Sequence, residues 1–210
     1  MVLLIVLKME LMLTKINIAI LFIASFTLSC SSKTIPAKYY NKHEKVLTRI
    51  EENYKKLNQE TPFTVAFTDR EFNTVLLEMI TDTLTYKYEF GLEETRLRDT
   101  LVKFNYSAAK VVDLMKQMQS IRCTWINKLD YYVDEKKNSL IYMSIKAVAF
   151  KSPFSYQKYY TLTYFPQPQY FDSTGQLLDK RKLRRLRKIN GEIFKRINDK
   201  VCYTITGNFR

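Results

Sequence analysis

Residues 121–149, IRCTWINKLDYYVDEKKNSLIYMSIKAVA, contain two runs in which apolar and polar side chains alternate. The first run covers residues 121–133 and the second covers residues 141–149, and such alternation is typical of half-buried β-strands. Between the runs, Asp134 and Asn138 bracket a short polar segment. Both residue types favour tight loops because they tolerate left-handed backbone. The stretch therefore predicts a β-hairpin.

An earlier segment, DREFNTVL at 69–76, matches DEKKNSLI at 134–141 in the positions of its Asp, Asn and apolar residues. Taken alone, Thr68 and Glu71 fit a capping box, which would begin a helix. The later segment is flanked by runs that alternate as strands do, and the match with it favours a hairpin instead. We therefore predict a second hairpin over residues 63–81.

The two hairpins belong to a longer internal similarity. The tetrapeptide TLTY occurs at 83–86 and again at 161–164, each time in a predicted strand that is followed by a helical stretch and a short strand with a cysteine. The first of these strands is predicted over residues 83–90, where Leu84, Tyr86, Tyr88 and Phe90 alternate with other residues and share one face. Apolar residues at helical spacing predict helices at 41–58, about 105–120 and about 179–199. The predicted order is helix-strand-strand-strand, the same four elements again, and then helix-strand.

This order predicts an α+β fold with one antiparallel sheet of about seven strands and helices mainly on one face. We interpret residues 41–210 as a single domain with an internal duplication. Residues 41–103 and 104–178 are the two α-β-β-β repeats, and residues 179–210 add a C-terminal helix and strand. Chance similarity between strand-rich segments is the alternative. The chain has 4 glycines, too few and too scattered for the glycine-rich loops of P-loop and dinucleotide-binding proteins.

The N-terminal segment has the layout of a secretory signal. Lys15 precedes an apolar run at 16–26, and small and hydroxylated residues lead from there to Cys30. The run is too short to span a bilayer, which takes about 20 apolar residues. The stretch TLSC at 27–30 resembles the signal of bacterial lipoproteins, in which a Leu-small-small box precedes an acylated cysteine. Here Thr27 stands where the leucine usually lies.

The resemblance implies that residues 1–29 are a signal peptide and that Cys30 becomes the lipidated N-terminus. Residues 30–40 would then form the anchor and a short tether. It places the mature chain outside the cytoplasm, in the bacterial cell envelope, held to a membrane by its lipid. Release as a secreted protein and retention as a signal anchor are the alternatives.

The formal net charge of +13 favours acidic partners, such as anionic lipid headgroups or glycans. The densest basic cluster lies in the predicted helix at 179–199, and its members include Lys180, Arg181, Arg184, Arg185 and Lys188. We predict that this face lies on anionic headgroups beside the anchor. A solvated helix face is the alternative. Nucleic acid is not expected as a partner, because an exported protein meets little of it.

Aromatic residues crowd the segment 156–171. The candidate ligand-binding residues there are Tyr156, Tyr159, Tyr160, Tyr164 and Tyr170. Exposed tyrosines stack on sugar rings or anchor a protein partner. The alternative is that they are core residues of a strand and a packed loop.

Residues suited to catalysis or metal binding are sparse. The one histidine, His43, lies in the first predicted helix without the neighbouring ligands of a metal site. The carboxylates that a hydrolase would pair lie on predicted strands and turns, and they are Glu78, Asp82, Glu89, Asp130 and Asp134. Cys123 and Cys202 are predicted as buried free thiols, and a disulfide between them is the alternative. We predict no metal and no cofactor.

The sequence therefore predicts a non-enzymatic protein-binding, assembly or inhibitory module with an envelope protein as partner. A glycan- or lipid-binding lipoprotein with an aromatic groove is the first alternative, and a carboxylate-dependent hydrolase is the second. In element order the chain is similar to envelope lipoproteins of the BamE and beta-lactamase-inhibitor-like group and to PepSY domains. That similarity of architecture implies a binding role by analogy.

Overall fold

The computed structural model describes residues 35–133, 135–145, 159–169, 171 and 194–206. The chain divides into two compact units, residues 1–42 and residues 43–210. Of the first unit only residues 35–42 are described, and they form the beginning of a helix. The second unit holds the sheet.

The described elements are helices and strands in mixed order. The helices are α1 (Ile35–Glu60), α2 (Thr95–Lys103) and α3 (Ala108–Ile121). The strands are β1 (Phe63–Phe67), β2 (Thr74–Ile80), β3 (Thr85–Gly91), β4 (Cys123–Val133), β5 (Lys136–Ile145), β6 (Tyr159–Tyr164), β7 (Lys195–Arg196) and β8 (Val201–Thr206).

All of these strands belong to one antiparallel 8-stranded sheet with the order β3-β2-β1-β4-β5-β6-β8-β7. The predicted α+β class is therefore confirmed, with one strand more than expected. Strands β1 to β3 form one antiparallel meander and β4 to β6 form another, and the two join where Val65 of β1 lies opposite Ile126 of β4. Each meander follows a helix, as the repeat hypothesis expects. The duplication itself stays a prediction.

Residues 63–81 form a hairpin and not a helix, as predicted. Asp69, which lies between the capping-box residues Thr68 and Glu71, closes the hairpin loop, because its carboxylate accepts the N–H of Asn73 at 3.0 Å and the N–H of Thr74 at 2.8 Å. The second predicted hairpin, β4–β5, is also present. Its connection is shorter than that of the first hairpin, since only residues 134–135 separate the two strands.

The C-terminal end of α3 fixes this β1–β2 loop. Arg122 follows α3 in the left-handed conformation (φ 58°), and its guanidinium donates to the carbonyl oxygen of Arg70 at 2.8 Å. The same guanidinium lies 5.2 Å from the ring centroid of Phe72. The side-chain amide of Gln119 donates to the carbonyl oxygen of Phe72 at 2.7 Å. These contacts set the position of the hairpin relative to α3.

Helix α1 packs against β1 with its apolar side. Leu47, Ile50 and Tyr54 are fully buried, and the burial of each such side chain contributes about 2 kcal/mol. The hydroxyl of Tyr54 donates to the carbonyl oxygen of Phe63 at 2.6 Å, and the amide of Asn58 donates to the same oxygen at 2.9 Å. The rings of Tyr54 and Phe63 meet edge to face at 5.2 Å. Phe63 therefore links α1 to the sheet.

The predicted helix at about 179–199 lies outside the described residues as far as residue 193, and it is wrong over 194–199. Lys195 and Arg196 form β7, which pairs with β8. The side chain of Asn198 then accepts the N–H of Val201 at 2.8 Å and turns the chain into β8. Strand pairing with β8 satisfies this backbone where helical spacing had suggested a helix.

Helix α2 is not among the predicted helices. It is 9 residues long and buries Leu97 and Leu101 on one side. Its C-cap residue, Phe104, brings a ring onto the first meander. This short helix shapes the candidate site.

Candidate functional site

Strand β3 lies at one end of the sheet, and among the described strands only β2 pairs with it. Two backbone hydrogen bonds fix the phase of the β2–β3 ladder. The N–H of Leu92 donates to the carbonyl oxygen of Asn73 at 2.7 Å, and the N–H of Thr81 donates to that of Leu84 at 2.8 Å. The even-numbered residues of β3 therefore bond to β2.

The odd-numbered residues of β3 turn their backbone the other way, because every second residue in an antiparallel ladder faces away from its partner strand. The N–H and C=O groups of Thr85, Lys87 and Glu89 point outward, and no described residue bonds to them. This stretch of unpaired backbone ends at Gly91, because the N–H of Gly91 donates to the carboxylate of Glu94 at 3.1 Å. We call the outward backbone of Thr85, Lys87 and Glu89 the β3 edge.

Aromatic rings form a row along the core-facing side of β3. The rings of Tyr86 and Tyr88 are stacked at 6.5 Å, and those of Tyr88 and Phe90 are stacked at 5.8 Å. Phe104 packs on the row from the end of α2, with its ring 5.1 Å from that of Tyr86 and 6.2 Å from that of Tyr88. Phe90 is buried, whereas the other three rings are half-buried.

Leu84, at the start of β3, is 56% exposed. Together with the half-buried rings it forms an apolar surface beside the open backbone, which we call the edge patch: Leu84, Tyr86, Tyr88 and Phe104. An exposed apolar surface of this kind marks an interaction site more often than chance exposure does. The β3 edge and the edge patch are therefore the candidate site.

Charged side chains occupy the opposite face of β3. The ammonium group of Lys87 lies 2.9 Å from the carboxylate of Glu78 on β2. The hydroxyl of Thr68 donates to the carboxylate of Glu89 at 2.7 Å. Lys87 and Glu89 both remain exposed, so each is available to a further partner. The site offers main-chain donors and acceptors, an aromatic side and a charged side.

The predicted tyrosine cluster is only partly described. Tyr160 and Tyr164 lie on β6, inside the sheet, and they are buried with 7% and 8% exposure. Tyr159 is half-buried at the start of the same strand. This burial favours the core alternative for Tyr160 and Tyr164. Tyr156 and Tyr170 lie outside the described residues.

The predicted lipidation and membrane-surface residues also lie outside the described residues. These are Cys30, Lys180, Arg181, Arg184, Arg185 and Lys188. No helix in the described ranges combines the length and the apolar character needed to cross a bilayer. The proposals for these residues rest on the sequence alone.

The described candidate carboxylates are held in ion pairs, accept a hydrogen bond, as Glu89 does from Thr68, or lie near a turn. Asp130 lies between Lys128 at 3.3 Å and Lys137 at 2.9 Å, and Glu78 pairs with Lys87 as above. Asp82 is exposed next to the β2–β3 turn, and Asp134 is outside the described residues. Burial raises the pKa of a different carboxyl, that of Glu51 on α1. Glu78, Glu89 and Asp130 are therefore already engaged by neighbouring side chains.

The two described cysteines are buried free thiols. Cys123 on β4 and Cys202 on β8 are separated by β5 and β6, and adjacent strands lie about 4.8 Å apart. Their Cα atoms are thus too far apart for a disulfide, which requires less than about 7 Å. Burial raises the pKa of Cys123 to about 12 and that of Cys202 well above its usual value. Burial and the raised pKa therefore favour the neutral thiol form of both side chains.

A groove of about 710 Å³ separates the C-terminal part of α1 from the beginning of α3. Its lining residues are Asn53, Lys56, Leu57, Gln59, Glu60, Ala109, Lys110 and Asp113. Most of these side chains are exposed and their charges are mixed, so a ligand in the groove would stay solvated. His43, half-buried on α1, is not part of it. The groove is a weaker candidate than β3.

Within the described ranges, no group of three or more His, Cys, Asp or Glu side chains could hold a metal ion. No protein-family model, curated protein or solved structure matches this chain. The function is therefore argued from the geometry of β3.

The alternation of residues 83–90 predicted β3 itself. Its place at the end of the sheet was not predicted, because strand order depends on contacts far apart in sequence. The sequence does indicate that one face of β3 lies in water, because Tyr86 and Tyr88 alternate with Lys87 and Glu89.

Proposed function

We propose that this chain is a membrane-anchored lipoprotein of the bacterial cell envelope that acts as a non-enzymatic protein-binding module. The observation that carries the proposal is strand β3, which is 7 residues long and has both the open backbone of the β3 edge and a row of aromatic rings. The binding mode is addition of a strand from the partner to the sheet.

Strand addition uses both parts of the candidate site. The outward groups of Thr85, Lys87 and Glu89 supply main-chain hydrogen bonds to an extended segment. The edge patch supplies contacts for alternate side chains of that segment, which gives the interaction its selectivity. The half-buried rings of Tyr86 and Tyr88 belong to residue types enriched at binding hot spots.

An open edge also has a cost for a protein that has no partner. A long exposed strand with an apolar surface is a template for aggregation, and natural sheets cover, shorten or charge their edges. Lys87 is the main protective charge on β3, and its ammonium is already held by Glu78 at 2.9 Å. A partner that pairs with β3 in the working state accounts for the open edge.

The envelope location rests on Cys30 and the segment before it. We expect wild-type protein to fractionate with membranes and the Cys30→Ala variant to lose this association, because the acyl chains are the proposed anchor. If both proteins fractionate alike, the anchor is wrong and the location must be reassigned.

The binding function is tested by photo-cross-linking in native membranes. A photo-reactive amino acid replaces Lys87, and the matched control carries it at Lys110, which is exposed on α3 beside the α1–α3 groove. We expect a discrete cross-linked protein species from position 87 and none from position 110. Cross-links to lipid or glycan alone, or equal labelling at both positions, would contradict the proposal.

A proline variant tests the binding mode. Lys87→Pro removes an outward N–H without removing a bond to β2, and proline is tolerated where the N–H of an edge strand faces solvent. The matched control, Lys87→Ala, removes the same side chain but keeps the N–H. With the photo-reactive group moved to Thr85, Lys87→Pro should abolish the cross-link while Lys87→Ala keeps most of it. Equal loss in both variants would mean that the side chain, not the backbone, is recognised.

A further inference from the structure

We propose that the partner of the β3 edge is strand β3 of a second copy of this chain, paired antiparallel about a two-fold axis at Tyr88. The inference rests on the proposed protein-binding function and names the partner of that same site. A two-fold interface uses one surface patch on both copies, so the strand must be complementary to itself.

The charges of β3 select the register. An axis at Tyr88 places Lys87 opposite Glu89 of the second copy, and Glu89 opposite Lys87 of the second copy. An axis at Lys87 sets two lysines face to face, and an axis at Glu89 sets two glutamates face to face, both of which are destabilising. An axis at Tyr86 leaves Lys87 opposite Thr85. The Tyr88 register is the one among these that pairs opposite charges twice.

The phase of the hydrogen bonds agrees with this register. Tyr88 gives its N–H and C=O to β2, so it forms a non-hydrogen-bonded pair with its own copy. The outward groups of Lys87 and Glu89 meet those of the second copy directly. The two Lys87–Glu89 pairs contribute about four main-chain hydrogen bonds across the axis.

The aromatic row is also self-complementary. In the Tyr88 register, Tyr88 lies opposite its own copy and Tyr86 lies opposite Phe90 of the second copy. Non-hydrogen-bonded antiparallel pairs bring side chains closest, and aromatic pairs at such positions stabilise a sheet. Tyr86 and Tyr88 are already stacked with an interplanar angle of 11°. Pairing extends this row across both copies and covers the half-buried rings.

The pairing leaves the present contacts of the Lys87 and Glu89 side chains intact. The ammonium of Lys87 has three donors, one of which is directed at Glu78, so it can also bond to Glu89 of the second copy. The carboxylate of Glu89 accepts one bond from Thr68 and has capacity for more. The result is a charged row on one face of the joined sheets and an aromatic row on the other.

The test uses charge reversal in the full chain, solubilised in detergent and followed by sedimentation equilibrium. Lys87→Glu and Glu89→Lys each place like charges opposite one another, and each should weaken self-association by about tenfold or more. An equimolar mixture of the two variants should associate as the wild type does. In the mixed dimer, position 87 of one copy and position 89 of the other carry opposite charges at both pairs. Thermal unfolding at low concentration confirms that each variant is folded.

A disulfide measurement tests the register independently. Paired residues at a non-hydrogen-bonded position have Cα atoms about 4.5 Å apart, which suits a disulfide. Tyr88→Cys should therefore give a covalent dimer on mild oxidation. The matched control Lys87→Cys should not, because Lys87 lies opposite Glu89 and not opposite its own copy. The wild-type chain sets the background.

Loss of self-association in both charge variants, with recovery only on mixing, supports the inference. A wild-type chain that stays monomeric up to about 100 µM, or charge variants that associate like the wild type, overturns it. If a different protein still cross-links at position 87 in that case, the proposed function stands and only this partner is wrong. If position 87 cross-links to no protein at all, both proposals fail.

Discussion

The two ends of the sheet are built differently. At one end, β3 presents 7 residues with three outward main-chain positions and an aromatic surface. At the other end, β7 has 2 residues, Lys195 and Arg196, and a bend follows at once. Arg196 is paired with Asp199, and its guanidinium lies 5.5 Å from the ring centroid of Phe171. Short length and charge are the usual protection of an edge strand; β7 has both, whereas β3 has charged side chains but is 7 residues long.

The aromatic residues next to each end show the same contrast. Phe194, just before β7, is 1% exposed and packs edge to face on Phe165 at 5.8 Å. Phe104, which packs on β3, is half-buried. Position at the end of a sheet therefore does not by itself make a strand a binding surface. Length, open backbone and an uncovered aromatic side occur together only at β3 among the described strands.

The largest expected effect comes from the two phenylalanines. Phe194→Ala should lower the free energy of unfolding by about 4 kcal/mol, because it leaves a cavity in a packed core. Phe104→Ala should lower it by about 2 kcal/mol, because part of that ring already faces water. Urea denaturation of both variants measures the difference. Equal losses would show that the edge patch is core and not a free surface.

Proline substitutions in β3 distinguish the N–H groups that bond to β2 from those that point outward. Tyr88→Pro should lower the free energy of unfolding by about 3 kcal/mol, since it removes a ladder hydrogen bond to β2 and a stacked ring. Lys87→Pro should cost less than about 1 kcal/mol, because its N–H points outward. Chemical denaturation of the two variants, each with its alanine counterpart, is the measurement. A Lys87→Pro variant as unstable as Tyr88→Pro would mean that the β3 edge is already occupied within the chain.

The smallest expected loss of stability comes from the loops near the two ends of the sheet. Asp69 accepts the N–H of Asn73 and Thr74 beside the first meander, and Asn198 accepts the N–H of Lys200 and Val201 beside β7. Replacing either residue with alanine should cost about 1 kcal/mol at neutral pH.

The contributions of Asp69 and Asn198 to stability should differ at low pH. Desolvation raises the pKa of Asp69, but the hydrogen bonds from Asn73 and Thr74 outweigh it and hold the pKa below its ordinary value of 3.8. The contribution of Asp69 is therefore present above pH 3.8 and is lost as the pH falls through the lowered pKa. Unfolding experiments at decreasing pH should show the Asp69→Ala deficit shrink once the pH falls below 3.8, while the Asn198→Ala deficit persists. A deficit at Asp69 that does not change with pH would mean that its charge is not what closes the loop.

Local patterns predicted the elements of the first meander well. The alternation over 83–90 identified β3, and comparison of residues 69–76 with 134–141 overruled the capping-box reading of Thr68 and Glu71. The structure shows why that comparison worked, since the carboxylate of Asp69 closes a strand loop. Side chains that cap a helix also close a hairpin, so the local motif alone is ambiguous.

At the other end of the sheet, the predicted helix is wrong over 194–199 because a short local hairpin takes its place. Leucine and isoleucine at helical spacing suggested a helix to residue 199, but Lys195 and Arg196 pair with β8, which follows them in the chain. The free status of β3 was equally hidden, because it depends on β1 pairing with β4 and not with β3. The β1–β4 pairing joins distant parts of the chain, and neither periodicity nor propensity reports it.

The most direct test of a protein-binding β3 edge is amide hydrogen exchange resolved to single residues along β3. It compares the full chain in membranes of the producing cell with the purified full chain at low concentration. The amides of Thr85, Lys87 and Glu89 should exchange at least about tenfold more slowly in membranes. Those of Tyr86 and Tyr88, which bond to β2, should be slow in both samples. Equally fast exchange of the three outward amides in both samples would contradict the account.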